Sequence, residues 1–405
     1  MSHLFTDLVG FRGDAIDAFG RLRTSNPFTL FDSQHRYRDN GKFDTKLVGN
    51  AGTTFSINES TIHLQLGKTS GDEIIRETKY VFPYQPGKSL LVLNTFTFNS
   101  PKENLRQRVG YFNDYNGIFL EQNGLTAYIV LRSYVTGSTA ETRIPQTQWN
   151  SDTFDGSGAS GRTLDVSRAN IFWTDIEWLG VGDVRTGFYI DGRPVIAHTF
   201  HNDNLNPTTY MTTATLPIRY EIKNLANTGT TAMMRQICSS VISEGGYEGR
   251  STVNYAGSNS TGEIDLGNVA GAYKPVAAIR LRSDRMDTVV LPADVQVLVT
   301  SNANVTWRVV VNPELTGGTW ANYSDFSNVQ YNKTLTGISG GVIIKEGYVG
   351  TAVAERISNP NEFKFQLGRT INQVSDVVAL EIAPLAGNNT KVYANFGWEE
   401  LDGRR

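Results

Sequence analysis

Residues 171–200 constrain the fold of this chain more than any other stretch. Trp173, Asp175 and Glu177 alternate with Phe172, Thr174, Ile176 and Trp178, the period of two expected of an extended strand. Gly180 to Asp183 supply a turn, and Val184 to Ile190 read as a second strand. Asp191-Gly192 is a favoured dipeptide of two-residue hairpin turns, and Val195 to Phe200 read as the returning strand.

The same signature recurs along the chain. Between residues 39 and 250 strands are expected at 53–57, 61–66, 73–82, 89–98, 107–113, 117–122, 125–134, 141–144, 170–178, 184–190, 194–200, 216–223 and 231–243. Residues 151–163 read as a flexible surface loop, and residues 251–274, rich in Gly, Ser and Asn at their start, as a linker. From residue 275 to 405 a second set of nine short strands predicts a compact sandwich. No internal repeat of fixed period occurs, which argues against a propeller or solenoid. With 39 glycines and 11% aromatic residues among 405, the composition suits all-β domains with many turns.

Lys and Arg number 37 against 40 Asp and Glu, so no basic field exists to hold a nucleic-acid backbone. Cys238 is the only cysteine, which excludes an intrachain disulfide and a cysteine metal cluster. Its setting in Gln-Ile-Cys-Ser-Ser-Val-Ile predicts a small buried apolar side chain. No apolar run reaches the ~18 residues of a membrane span, and the first residues lack the pattern of a secretory signal; synthesis in a host cytoplasm without membrane insertion is expected.

The hairpin with Ile-Glu-Trp and Tyr-Ile-Asp-Gly-Arg-Pro-Val resembles that of concanavalin-like jelly rolls, a group that includes lectins, laminin-G modules and β-glucanases. The resemblance implies an all-β, lectin-like jelly-roll sandwich over 39–250. The glucanases need three carboxylates alternating on one strand as nucleophile, helper and acid. Residues 60–165 hold no such triplet: Asn113-Asp-Tyr-Asn-Gly and Leu120-Glu-Gln-Asn-Gly carry one carboxylate each. Asp175 and Glu177 share a strand face about 7 Å apart, the spacing of two strand residues, but in the family the position of Glu177 is structural. His198 and His201 with Asp203 have the spacing of a metal site, yet read as ordinary loop histidines. No Ser-His-Asp elbow or phosphate loop occurs, so no enzyme, no cofactor and no metal are expected.

Residues 1–38 differ from the rest. Phe11, Phe19, Phe28, Phe31 and Tyr37 are spaced irregularly among Arg12, Arg21, Arg23, Arg36 and Arg38, too aromatic for a solvated linker. The segment reads either as an arm that docks on another subunit or as an extended piece clamped along its own domain. Asp17-Ala-Phe-Gly-Arg-Leu-Arg-Thr-Ser-Asn-Pro-Phe-Thr-Leu-Phe-Asp-Ser-Gln resembles the opening of virion structural proteins of large tailed bacteriophages. Ile176-Glu-Trp-Leu-Gly-Val-Gly-Asp-Val-Arg-Thr-Gly-Phe, Tyr210-Met-Thr-Thr-Ala-Thr-Leu-Pro-Ile-Arg-Tyr-Glu-Ile and Ile237-Cys-Ser-Ser-Val-Ile-Ser-Glu-Gly-Gly-Tyr are similar to further blocks of the same group.

That resemblance implies a non-enzymatic structural component of a virion on the capsid, neck or tail. Phe19, Arg21, Arg23, Phe28 and Phe31 of the arm would anchor it to other virion proteins, and fibre analogy implies a homo-oligomer, with a trimer as its order. The alternative is a receptor-binding, lectin-like module for a host surface glycan; a glycan-cleaving depolymerase is the third and least favoured reading. Trp149 and Trp320, in polar turn sequence, and Tyr115 are the expected contacts for a glycan or partner.

Overall fold

The computed structural model describes residues 26–401 except 248, 250, 259–261, 352–353, 359–364 and 388, with only the backbone for 354–358. Numbered in chain order, eight strands form one antiparallel sheet. They are β1 (Phe28–Gln34), β3 (Ala51–Ser56), β4 (Thr61–Leu66), β6 (Leu90–Thr97), β11 (Asn170–Ile176), β12 (Val184–Ile190), β13 (Arg193–Phe200) and β15 (Ala232–Ser243). Seven form the second: β2 (Phe43–Val48), β5 (Glu73–Thr78), β7 (Leu105–Phe112), β8 (Gly117–Asn123), β9 (Thr126–Ser133), β10 (Ala140–Pro145) and β14 (Ile218–Asn224). Their orders, β13-β12-β11-β6-β15-β4-β3 and β10-β9-β8-β7-β14-β5-β2, give a jelly-roll sandwich. Among the described residues there is no α-helix, and no helix is long and apolar enough to cross a membrane.

Alternation builds the core. Val92, Phe96, Phe172, Ile176 and Phe188 of the first sheet meet Ile74, Val109, Tyr111, Leu120 and Tyr220 of the second in one cluster. Each such side chain contributes about 1.5–3 kcal/mol on burial. The Asp-Gly hairpin forms as expected: Asp191 and Gly192 both have positive φ, 50° and 76°, as a type I′ turn requires.

The N-terminal boundary differs from the expectation. Residues 28–34 are a strand of this sheet, pairing with β15 from Phe28↔Ser243 to Gln34↔Cys238. β15 is 12 residues long, so β4 and β1 share its one flank in succession, β4 opposite Ala232–Gln236 and β1 beyond. Phe31 is buried against Phe43 and Phe82, with ring centroids 6.1 and 4.8 Å away. Phe28 is half exposed and stacks on Tyr247 at 5.5 Å. Of the expected anchors, these two therefore serve their own domain, while Phe19, Arg21 and Arg23 lie outside the described residues.

The second sandwich begins earlier than expected. β16 (Thr252–Gly257) and β17 (Ile264–Gly267) fall in the stretch read as a linker, and both pair with β28 (Thr390–Glu400). With β19 (Val290–Val299) and β26 (Ala354–Ser358) they form one sheet. The facing sheet holds β18 (Lys274–Leu281), β20 (Val305–Val311), β22 (Ala321–Asn322), β23 (Val329–Asn332), β25 (Val342–Val349) and β27 (Val377–Pro384). β21 (Glu314–Thr316) and β24 (Gly337–Ser339) pair separately. Glu400, fully buried, accepts hydrogen bonds from Trp398 Nε1, Asn254 Nδ2, Ser327 Oγ and the Asn328 amide at 2.5–2.9 Å. Four donors offset the desolvation of its charge.

Residues 366–371 stitch the sandwiches together. Arg369 Nη1 donates to Glu77 Oε1 and its Nη2 to Asp287 Oδ1, both at 2.8 Å, and the Arg369 amide donates to Lys79 O. The Ile371 amide donates to Asp44 Oδ2 and Gln366 Nε2 to Val81 O. Cys238 is exposed rather than buried, because a bulge between Gln236 and Cys238 interrupts the strict inward–outward alternation of β15.

Arg369→Ala leaves Asp287 with only the Asn113 side-chain amide and Glu77 with only Arg219, so it is expected to destabilise by about 1–3 kcal/mol; calorimetry should show melting split into two transitions, one per sandwich. Burial, aided by Arg76, pushes the His35 imidazole down to about 4, and burial with His201 nearby does the same to His198. Unfolded histidines bind a proton near pH 6.5, so the unfolded chain holds more protons between pH 6.5 and 4. This contribution to stability is fully present above pH 6.5 and lost as pH falls towards 4. The melting temperature should drop through that window, and less steeply in His35→Gln.

Candidate functional site

The outer face of the seven-stranded sheet is the first surface to test, because alternation gives it charge. Leu105, Val109 and Tyr111 of β7 point into the core, so Arg106, Arg108 and Phe112 point out. Arg108 Nε meets Glu121 Oε2 at 2.6 Å, Arg106 Nη2 meets Glu221 Oε1 at 2.7 Å, and Arg132 Nη2 meets Glu141 Oε1 at 2.7 Å. Arg143 pairs with Glu121, while Arg219 Nε donates to Glu77 Oε2 at 2.6 Å. The guanidinium groups lie over rings: Arg108 over Phe119, Arg132 over Phe112 and Phe119, Arg143 over Tyr128, all within 5.4 Å of the centroid. Burial pushes the Glu221 carboxyl up, but Arg108, Arg106 and Arg219 together hold it below the ordinary value. Glu77, Glu121, Glu141 and Glu221 are thus all engaged in ion pairs.

The eight-stranded sheet carries a different surface beside the hairpin. Phe172, Thr174 and Ile176 face inward on β11, which turns Trp173 and Asp175 outward. Asp175 sits opposite Leu91 on β6 and Arg185 on β12; Trp173 sits opposite Leu93 and Gly187. At Gly187 the bulge against β13 brings the backbones so close that a Cβ would lie 1.9 Å from Val195 O. Asp175 and Arg185 form the common wall of two adjoining cavities. The larger, about 440 Å³, is lined by Tyr84, Lys88, Glu177 and Asp183 among others, and the smaller, about 290 Å³, by Trp173, Tyr189, Pro194 and Glu244.

Unsatisfied polar atoms concentrate here. Asp175 is 7% exposed, and its Oδ2 pairs with Arg185 while its Oδ1 has no hydrogen-bond partner. The indole nitrogens of Trp173 and Trp178, Oδ1 of Asp183 and the Tyr210 hydroxyl are likewise buried and unpartnered. Leaving such a group unsatisfied costs about 1–3 kcal/mol; Asp175, Trp173 and Asp183 line the two cavities, whereas Trp178 and Tyr210 pack with the core. The Tyr84 hydroxyl accepts from the Leu179 amide at 3.3 Å, and its ring meets Trp178 edge-on at 5.9 Å. Burial raises the Tyr84 phenol above its ordinary value.

The residues singled out from the sequence are not brought together. Trp149 is a core residue, 4% exposed, its Nε1 donating to Ile144 O and its ring 6.2 Å from Phe188. The 3-10 turn Gln146–Gln148 leads it in under the sheet, which polar neighbours in sequence concealed. Trp320 is half-buried over the second sandwich, with Arg280 4.2 Å above its ring. Tyr115 is half exposed, edge-on to Tyr134, in a cleft between the sandwiches with Asp114, Arg219, Asp287 and Arg369. The loop 151–163 is pinned: buried Asp152 accepts from the amides of Phe154 and Ser160, and Phe154 enters the core. His198 Nδ1 accepts from the Asn150 amide, whereas His201 Nδ1 pairs with Asp183. Among the described residues no group of three His, Cys, Asp or Glu side chains could hold a metal ion.

No protein-family model and no curated protein matches the chain. Among solved structures it is similar to an endo-β-1,4-glucuronan lyase from the fungus Trichoderma reesei, at 10% identity and a TM-score of 0.36 over 53% of this chain and 95% of that one. It is similar to a Bacillus licheniformis β-glucanase at 11% identity and 0.33, over 54% and 99%. It is also similar to the CBM2 module of the Lactobacillus casei BL23 phage J-1 evolved Dit, at 6% and 0.36, over 56% and 100%. Likeness at this level assigns neither activity nor ligand.

The ion-pair layer makes a stability prediction. Glu121→Ala removes the carboxylate between Arg108 and Arg143 and leaves buried Arg108 short of a partner. The expected loss is about 3–5 kcal/mol in urea unfolding, while Arg162→Ala, at an exposed pair with Asp191, should cost under about 1 kcal/mol.

Proposed function

We propose that the chain is a non-enzymatic structural component of a tailed-phage virion. Its N-terminal segment joins it to a neighbouring virion protein, and the two sandwiches are displayed on the particle as a homo-oligomer. The resemblance of four sequence blocks to phage virion proteins supports the setting. The observation that carries the structural role is the junction at Arg369, where one buried guanidinium bridges Glu77 of the first sandwich and Asp287 of the second. A displayed, load-bearing part needs two domains that move as one, and a buried, hydrogen-bonded ion pair fixes their relative position.

For the outer face of the seven-stranded sheet, the non-enzymatic part of the reading is supported by its ion pairs. A retaining or inverting glycosidase needs two carboxyl groups facing its substrate, and there Glu77, Glu121, Glu141 and Glu221 each face arginine. Because residues 28–34 are bound within the chain's own sheet, the anchoring role in this proposal falls to residues 1–25, with Phe19, Arg21 and Arg23.

Cryo-electron microscopy of purified particles tests the reading. The chain should be found in the density at a repeated, symmetric position, with residues 1–25 against another virion protein. A chain lacking residues 1–25 should keep its melting temperature and fail to join particles. Absence of the chain from particles, or incorporation unaffected by the deletion, would overturn the proposal.

A further inference from the structure

We propose that the groove beside β11 and β12 is a binding site for a neutral oligosaccharide. This inference is independent of the virion reading, since it concerns the folded chain alone.

The recognition chemistry is set by two atoms. Asp175 Oδ1 and Trp173 Nε1 are both buried and unpartnered, on side chains 7% and 5% exposed that line the groove from the same strand face. Two residues apart along a strand, their Cα atoms are roughly 7 Å from one another. One is an acceptor only and the other a donor only. A cation would satisfy the carboxylate and leave the indole N–H bare; an anion would do the reverse. A sugar hydroxyl both donates and accepts, so a saccharide carrying several of them satisfies both groups with one kind of chemistry.

The rest of the groove agrees. Tyr84 in the larger cavity and Tyr189 in the smaller offer aromatic rings for the C–H faces of sugar rings. Lys88 and Arg185 stand against Asp175, Glu177, Asp183 and Glu244, an acidic balance that disfavours a polyanion. A peptide adding as a strand is excluded at this place, because β11 is hydrogen-bonded on both flanks, to β6 and to β12. Arg185, whose side chain is 55% exposed, pairs with Asp175 Oδ2 and is the movable wall through which a hydroxyl reaches Oδ1. The two cavities that meet at Asp175 and Arg185 make room for more than one sugar unit.

The full-length chain should be screened on an array of neutral oligosaccharides built from glucose, galactose, mannose, rhamnose and N-acetylhexosamines, with polygalacturonate as the acidic comparison. Hits are then titrated by calorimetry. Binding of at least one neutral oligosaccharide at millimolar concentration or below is expected, weakened tenfold or more by Trp173→Phe, which keeps a ring and removes the N–H, and by Tyr189→Ala. Asp175→Ala should act likewise; if it does not fold, the other two variants decide. Tyr115→Ala, in the cleft between the sandwiches, should leave affinity unchanged. No binding of any neutral oligosaccharide, binding of the acidic polymer alone, or loss on Tyr115→Ala with none on Trp173→Phe would each overturn the proposal. None of these outcomes bears on whether the chain is found in particles.

Discussion

The arginine–carboxylate chain Asp114–Arg219–Glu77–Arg369–Asp287, buried at its three central members, is the interaction on which the rest of the molecule depends. Arg219 is on β14 and Glu77 on β5, so their pairing ties two neighbouring strands of the seven-stranded sheet. Arg369 comes from the other sandwich and takes the second oxygen of the same Glu77. Burial works against the charge on both arginines, and the surrounding carboxylates outweigh it, Glu77 foremost. A network of this kind contributes little net stability against a well-packed apolar alternative, but it is costly to break in part. Its consequence is geometric: the sandwiches are held in one relative position.

That same layer decides which face of the jelly roll can meet a ligand. Arginines over Phe112, Phe119 and Tyr128 occupy the outer face of the seven-stranded sheet together with their carboxylate partners. The eight-stranded sheet is built the other way. Around Trp173 and Asp175 its outer face has polar atoms with nothing to bond, beside a groove bordered by tyrosines. One sandwich therefore presents a face dense in ion pairs and another on which Asp175 Oδ1 and Trp173 Nε1 are left without partners.

Much of this architecture was legible in the residues. β4 and β12 match the expected 61–66 and 184–190 residue for residue, because alternation on a half-buried strand leaves a period of two that turn residues bracket sharply. The Asp191-Gly192 turn was legible for the same local reason, since few dipeptides accept two positive φ angles. β16 and β17 were hidden: a strand rich in Asn and Gly reads as loop when its stability comes from pairing with β28 more than a hundred residues away. Trp149 was misplaced because polar neighbours describe the turn that carries it, not the cavity that its ring enters.

The sequence by itself determined the all-β class and the hairpin at 171–200, since each depends on local periodicity. It also placed Asp175 and Glu177 on one strand face, because a period of two separates the two faces of a strand. Only the tertiary structure decided that Phe31 belongs to this chain's own core, that Arg369 reaches Glu77, and that Asp175 Oδ1 and Trp173 Nε1 share one groove without partners. Pairings between residues tens or hundreds of positions apart are set by sheet order and packing, and no local pattern encodes them.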